Sequence, residues 1–125
     1  MNPSARNAYV DQMVNTASPA RLLVMLFDRL VLDVQRAAEA QESGDISTAN
    51  TNLIHAQEIV LELRSSLKLD AWEGAEQLAN IYAWLHSELI RANVSKDVAV
   101  TRACLTIIEP LAETWREAAA LSLAG

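Results

Sequence analysis

At 125 residues the chain suits one domain, long enough to bury roughly two-thirds of its unfolded surface without disulfides or metals. Ala, Leu, Glu and Gln are plentiful while aromatics, Gly and Pro are few, which is the make-up of helices rather than sheets. A net charge of -6 with scattered basic residues argues against nucleic acid as a partner. The longest apolar run, Leu22 to Phe27, falls far short of the ~20 residues that insert across a membrane.

Residues 1–18 hold only sparse apolar groups, Tyr9, Val10, Met13 and Val14 among them, and no apolar core of a secretion leader, so a soluble cytoplasmic protein is expected. On pattern alone this stretch reads as a frayed terminus; the functional reading is a flexible flap that docks Tyr9 and Val14 on the rest of the molecule. Order begins at Ser18, an N-cap whose hydroxyl can take up an orphan N–H, followed by Pro19 at the first helical position. Leu22, Leu23, Leu26, Phe27, Leu30, Val34 and Ala37 then recur at helical spacing, predicting a first helix over about 19–42 that stops at Ser43-Gly44-Asp45. So short a turn makes the next helix antiparallel. Asp45 caps it, and Ala49, Leu53, Ala56, Val60, Leu63 and Leu67 step by four and three over about 46–67.

Lys68 to Gly74 breaks the pattern. A third helix over about 74–92 follows with Leu78, Tyr82, Leu85, Leu89 and Ala92 on one face, and Ser95 reads as the cap of a fourth over about 96–121. That helix turns Cys104, Leu105, Ile108, Leu111, Ala112, Trp115 and Ala119 inward, with a bend expected before Pro110. Cys104 has no partner for an intrachain disulfide and reads as a buried thiol. The fold expected is all-α: an antiparallel up-and-down four-helix bundle over 19–121 behind the flap.

Some apolar side chains fall outside the bundle seam when each helix is drawn at about 100° per residue. Met25 and Leu32 lie nearly opposite the core stripe, Ile54 and Leu61 form a shoulder, Trp84 is well off the axis of Leu78, and Val100 and Ile107 sit at the seam's edge. In a chain with few loops to cover them, such flanks suggest a groove for a partner, or faces covered by the N-terminal stretch or by a second copy of the chain.

Enzyme chemistry is missing. There is no Glu-x-x-His pair for a di-metal site, no nucleophile elbow, no phosphate-binding glycine loop and no Cys-x-x-Cys, so neither cofactor nor metal is expected. His55 and His86 stand alone. A phosphotransfer bundle would use a lone exposed histidine, and His55 is the one to test, although no lysine follows at helical spacing to steady a phosphoryl group.

The stretch Tyr9-x4-Val14-x-Thr16-Ala17-Ser18-Pro19-x-x-Leu22-x-x-Met25-Leu26-Phe27-Asp28 resembles the opening of the flagellar secretion chaperone FliS family. The likeness continues through Ala56-Gln57-x-Ile59-x-x-Glu62-Leu63-x-x-Ser66-Leu67, Leu78-x-x-Ile81-Tyr82-x-Trp84-Leu85, Ala92-Asn93-x-x-x-Asp97 and Trp115. It departs at Gly74-Ala75, where the family has paired glycines, at Tyr82-Ala83-Trp84 in place of Tyr-x-Tyr, and at Arg29 in place of a common glycine. The resemblance implies a four-helix bundle that binds the disordered C-terminal segment of flagellin in the cytoplasm. By that implication it prevents premature polymerisation and aids delivery to the flagellar export gate. Tyr9, Val14, Met25, Leu32, Ile54, Leu61, Trp84 and Ile107 are then the expected client contacts. The alternative is a self-associating helical scaffold, a homodimer or larger, whose shoulders pair between copies.

Overall fold

The computed structural model describes residues 18–124. Helix α1 spans Pro19–Ser43. Ser18 is extended, and its Oγ accepts from the Arg21 N–H at 3.2 Å, satisfying one donor of the first turn. The helix closes on Gly44 at φ 78°, with Gly44 and Asp45 donating to the carbonyls of Gln41 and Ala40. A Cβ at Gly44 would touch nothing, so glycine is needed there for its backbone angle alone.

Helix α2, Ile46–Ser66, is capped by Asp45, whose Oδ1 accepts from the Thr48 N–H at 3.1 Å. Hydrogen bonding from Thr48 holds the Asp45 carboxyl below its usual range. Helix α3, Ala75–Ser95, starts after Gly74, which sits in ordinary right-handed backbone. A side chain here would meet a different obstacle: a Cβ would lie 1.9 Å from the exposed Trp72 ring, which is laid over the glycine and would have to swing aside.

Ser95, read from the sequence as the cap of the fourth helix, instead finishes α3, its Oγ donating to the Arg91 carbonyl at 2.7 Å. Lys96 makes the turn in left-handed backbone at φ 56°, and Asp97 takes the capping role by accepting from Ala99 N–H at 2.9 Å. A left-handed lysine is strained by roughly 1–2 kcal/mol, partly offset in glycine by greater unfolded-state freedom. Lys96→Gly is therefore expected to stabilise the fold by about 0.5–1 kcal/mol in urea denaturation. Helix α4, Val98–Ala124, runs on through Pro110, which withholds one N–H from the Thr106 carbonyl.

Four contacts place the end of α1, the start of α2, the end of α3 and the start of α4 together. Gln41 Nε2 donates to the Ala92 carbonyl at 3.2 Å, Thr101 Oγ1 to Gln41 Oε1 at 2.6 Å, Asn93 Nδ2 to Asn50 Oδ1 at 2.8 Å, and Arg102 pairs with Glu42. At the far end Arg116 of α4 binds Asp28 of α1 at 2.6 Å. The bundle is thus antiparallel and up-and-down: α1 packs on α2 and α4, α3 packs on α2, and the α3–α4 seam is the thinnest of the four.

Phe27, Leu30 and Val34 of α1, Leu53, Val60 and Leu63 of α2, Leu85 and Leu89 of α3, and Cys104 and Ile108 of α4 are buried in one core. Phe27 and Tyr82 meet inside it with ring centroids 6.4 Å apart. Burial pushes the Tyr82 phenol up to about 12 and the Cys104 thiol to about 11. Because the folded phenol resists ionisation, its contribution to stability is complete below pH ~10 and is lost as pH rises toward about 12. In a Tyr9→Phe background, the 295 nm tyrosinate signal is expected to rise together with the loss of helical ellipticity, rather than ahead of it.

Candidate binding surface

Met25, Leu32, Ile54, Leu61, Trp84 and Ile107 each keep more than a third of their surface in contact with solvent. Tyr9 and Val14 lie outside the described residues. The six do not form one patch. Cross-helix contacts orient each helix in the ring, and the wheel at about 100° per residue then assigns each exposed side chain to a seam.

On α1, Asp33 reaches His55 of α2 while Asp28 reaches Arg116 of α4, leaving Met25 and Leu32 on the outer face between those flanks. On α2, His55 faces α1 and Asn50 faces α3, so Ile54 and Leu61 border the α2–α3 furrow. On α4, Arg102 and Arg116 face α1, so the opposite flank with Val100, Ile107 and Leu111 turns toward α3. Trp84 lies on the flank of α3 away from Asn93, toward the same seam. Trp84 and Ile107 therefore belong to one strip, Ile54 and Leu61 to a second, and Met25 and Leu32 to a third.

Val100, grouped from the sequence with Ile107 at the seam's edge, is buried at 7% exposure and belongs to the core. Further exposed apolar residues extend the strips. Ile46 and Ile90 join the α2–α3 furrow and Ile81 joins Trp84. Trp72 and Leu69 stand exposed on the α2–α3 loop. Ile81 precedes Trp84 by three positions and Ile46 precedes Ile54 by eight, so helical spacing from the chosen residues was a signal that could have found them.

A groove of about 720 Å³ runs between α1 and α4, but charged Arg102, Glu109, Glu113 and Arg116 line it and none of the six does. Arg116 is held charged by Asp28 and Glu113, and Glu113 also pairs with it directly.

The polar group that sequence reasoning missed is Asp33, fully buried on α1. Its Oδ2 binds His55 Nδ1, and Arg29 Nε lies 3.1 Å from Oδ1, a charge contact whose angle leaves Oδ1 without a true hydrogen bond. His55 therefore ties α2 to α1 through its Nδ1. The signal was present: Asp33 falls three residues after Leu30 and four before Ala37, inside the core arc. Among the described residues no cluster of three or more His, Cys, Asp or Glu is placed to hold a metal, and no helix is long and apolar enough to cross a membrane.

The class the architecture defines is the all-α, up-and-down four-helix bundle with apolar strips left on its outer faces. Residues 1–122 match the family model "Flagellar protein FliS", and the chain belongs to that family. It is 30% identical to the flagellar secretion chaperone FliS of Bacillus subtilis (strain 168), over 89% of this chain and 83% of that protein. It is 29% identical to the protein of the same name from Salmonella typhimurium over 86% of this chain and 82% of the relative, and 25% identical to that of Vibrio cholerae over 85% and 79%.

Proposed function

We propose that this chain is a cytoplasmic export chaperone that binds the disordered C-terminal segment of flagellin, prevents its premature polymerisation and aids delivery to the flagellar export gate. Family membership supports the chaperone role, since the relatives carry that name. The observation that carries the client reading is the set of outer strips, and above all Trp84 and Ile107 beside the thinnest seam of the bundle.

A segment whose apolar face is destined for burial in a filament needs temporary cover, and several shallow strips supply it in pieces. Each contributes ~25 cal/mol per Å² hidden, less the cost of ordering the client, so the complex is firm yet releasable. Met25 and Leu32, Ile54 and Leu61, and Trp84 and Ile107 are the contacts we assign to it. Calorimetric titration with a synthetic flagellin C-terminal segment tests the reading. Saturable binding to a monomeric chain supports it. Absence of binding, with light scattering that grows with chain concentration, would favour the self-associating scaffold instead.

A further inference from the structure

Where α2 meets α3, the furrow holds one polar rung among apolar neighbours. Asn93 Nδ2 donates to Asn50 Oδ1 at 2.8 Å, and among the described residues neither amide takes another side-chain or backbone partner. The bond uses one donor of Asn93 and the acceptor of Asn50. It leaves the Asn50 NH₂ as a donor and the Asn93 carbonyl oxygen as an acceptor, both still free to bond.

The space beside them is a cavity of about 470 Å³ lined by Gln41, Gly44, Ile46, Ser47, Ala49, Asn50, Asn93 and Lys96. Gly44 presents no side chain and open space above it, so a backbone can come close. Gln41 is already spent, bonded to the Ala92 carbonyl and to Thr101. Ile46 and Ile54 stand one helical turn on either side of Asn50, and Ile90 one turn before Asn93, all three exposed. The amide rung is therefore flanked along the furrow by apolar side chains.

We infer that the Asn50–Asn93 pair is a main-chain reader: it clamps the N–H and C=O of one residue of an extended client segment while Ile46, Ile54 and Ile90 receive that segment's apolar side chains. This rests on the chaperone reading above and locates one of its contacts. One donor and one acceptor presented together match the C=O and N–H of a single residue in an extended strand, which point to the same side of the chain. A phosphate offers acceptors only, so Lys96 in the lining would attract it but the Asn93 oxygen would be left without a donor; a metal cation would meet the Asn50 NH₂ and the Lys96 ammonium. An extended chain also places alternate side chains on one face, which suits apolar seats on both sides of the rung. Recognition of this kind is indifferent to client sequence at the clamped residue, so it adds grip without demanding a particular side chain.

Asn50→Asp isolates the idea, because it keeps the acceptor for Asn93 Nδ2 and the side-chain shape while removing the outward donor. The full-length chain, wild type and Asn50→Asp, is titrated with the synthetic flagellin C-terminal segment, alongside Asn50→Ala as a second, uncharged variant. Wild type is expected to bind and both variants to bind about tenfold more weakly; melting is expected to hold in Asn50→Asp, which keeps the bond to Asn93, and to fall by only a few degrees in Asn50→Ala, which loses it. In ¹⁵N-labelled wild type, the Asn50 side-chain NH₂ resonances are expected to move on peptide addition while those of Gln41 stay. Equal binding by wild type and both variants overturns the inference and leaves the chaperone reading standing. Failure of wild type to bind at all removes that reading and this one together. Movement of the Asn50 resonances with inorganic phosphate alone, or with chain concentration alone, assigns the rung to an anion or to a second copy and overturns it as well.

Discussion

Trp84→Ser combined with Ile107→Asn is expected to weaken capture of the flagellin C-terminal segment by about a hundredfold, with helicity and melting temperature nearly unchanged. The two side chains are 46% and 37% exposed, so their outer portions face solvent in the free chain and are available for burial in a complex. Covering those portions hides on the order of 150 Å² of apolar surface, which at ~25 cal/mol per Å² comes to about 3–4 kcal/mol before ordering costs are subtracted. The bundle itself loses little, because the core on this side is carried by Leu85, Leu89, Cys104 and Ile108, all inaccessible to water. Calorimetry with the peptide, paired with circular dichroism, separates the outcomes. Unchanged affinity would remove the α3–α4 strip from the client surface, and collapse of the melting transition would make both residues part of the core.

The second large effect concerns stability. His55→Ala is expected to cost about 3 kcal/mol, because it strips the better-aligned partner from a carboxylate that has no access to water. Arg29 stays at 3.1 Å but is half-exposed and poorly angled, so it does not replace the lost bond. The loss falls at the low end for a broken buried pair, since His55 is 43% exposed and water enters where it stood. Removing both partners, Asp33→Leu with His55→Leu, is expected to recover most of that loss, because no unpaired charge then remains inside. Urea denaturation of the three proteins checks this. A double variant no more stable than the single would mean that the pair contributes by shape rather than by charge.

Both effects turn on features that were unequally legible in the residues. The four helices could be read because Leu, Val and Ala recur at three and four in each, and because Ser18-Pro19 and Gly44 mark a start and a stop with local chemistry. Gly44 was readable since its left-handed angle is a property of the residue. The Lys96 turn was hidden for the same reason: a lysine carries no mark of that angle, and Ser95 was the better local candidate. Gly74 misleads in the other direction, being a glycine that holds ordinary backbone, with the Trp72 ring laid over it.

Of the binding surface, the exposed side chains followed from each helix's own periodicity, but their grouping did not. Whether Ile54 shares a furrow with Ile90, or Trp84 with Ile107, depends on the order and rotation of helices in the ring, which no single helix encodes. Asp33 and His55 lie 22 residues apart, so neither announces the other.

The polar pegs of the bundle are gathered where its two shortest turns lie: Gln41 to Ala92 and Thr101, Asn50 to Asn93, Glu42 to Arg102. The opposite end is spanned by the longer 67–74 connection, and among the described residues its cross-helix polar contact is the ion pair of Asp28 and Arg116, as exposed as that of Glu42 and Arg102. Among the described residues, then, the bundle is pegged by several cross-helix polar contacts at one tip and by one at the other. On the proposed chaperone role, local opening would be easiest where α3 and α4 pack least, and a client could enter and leave there while the pegged tip holds.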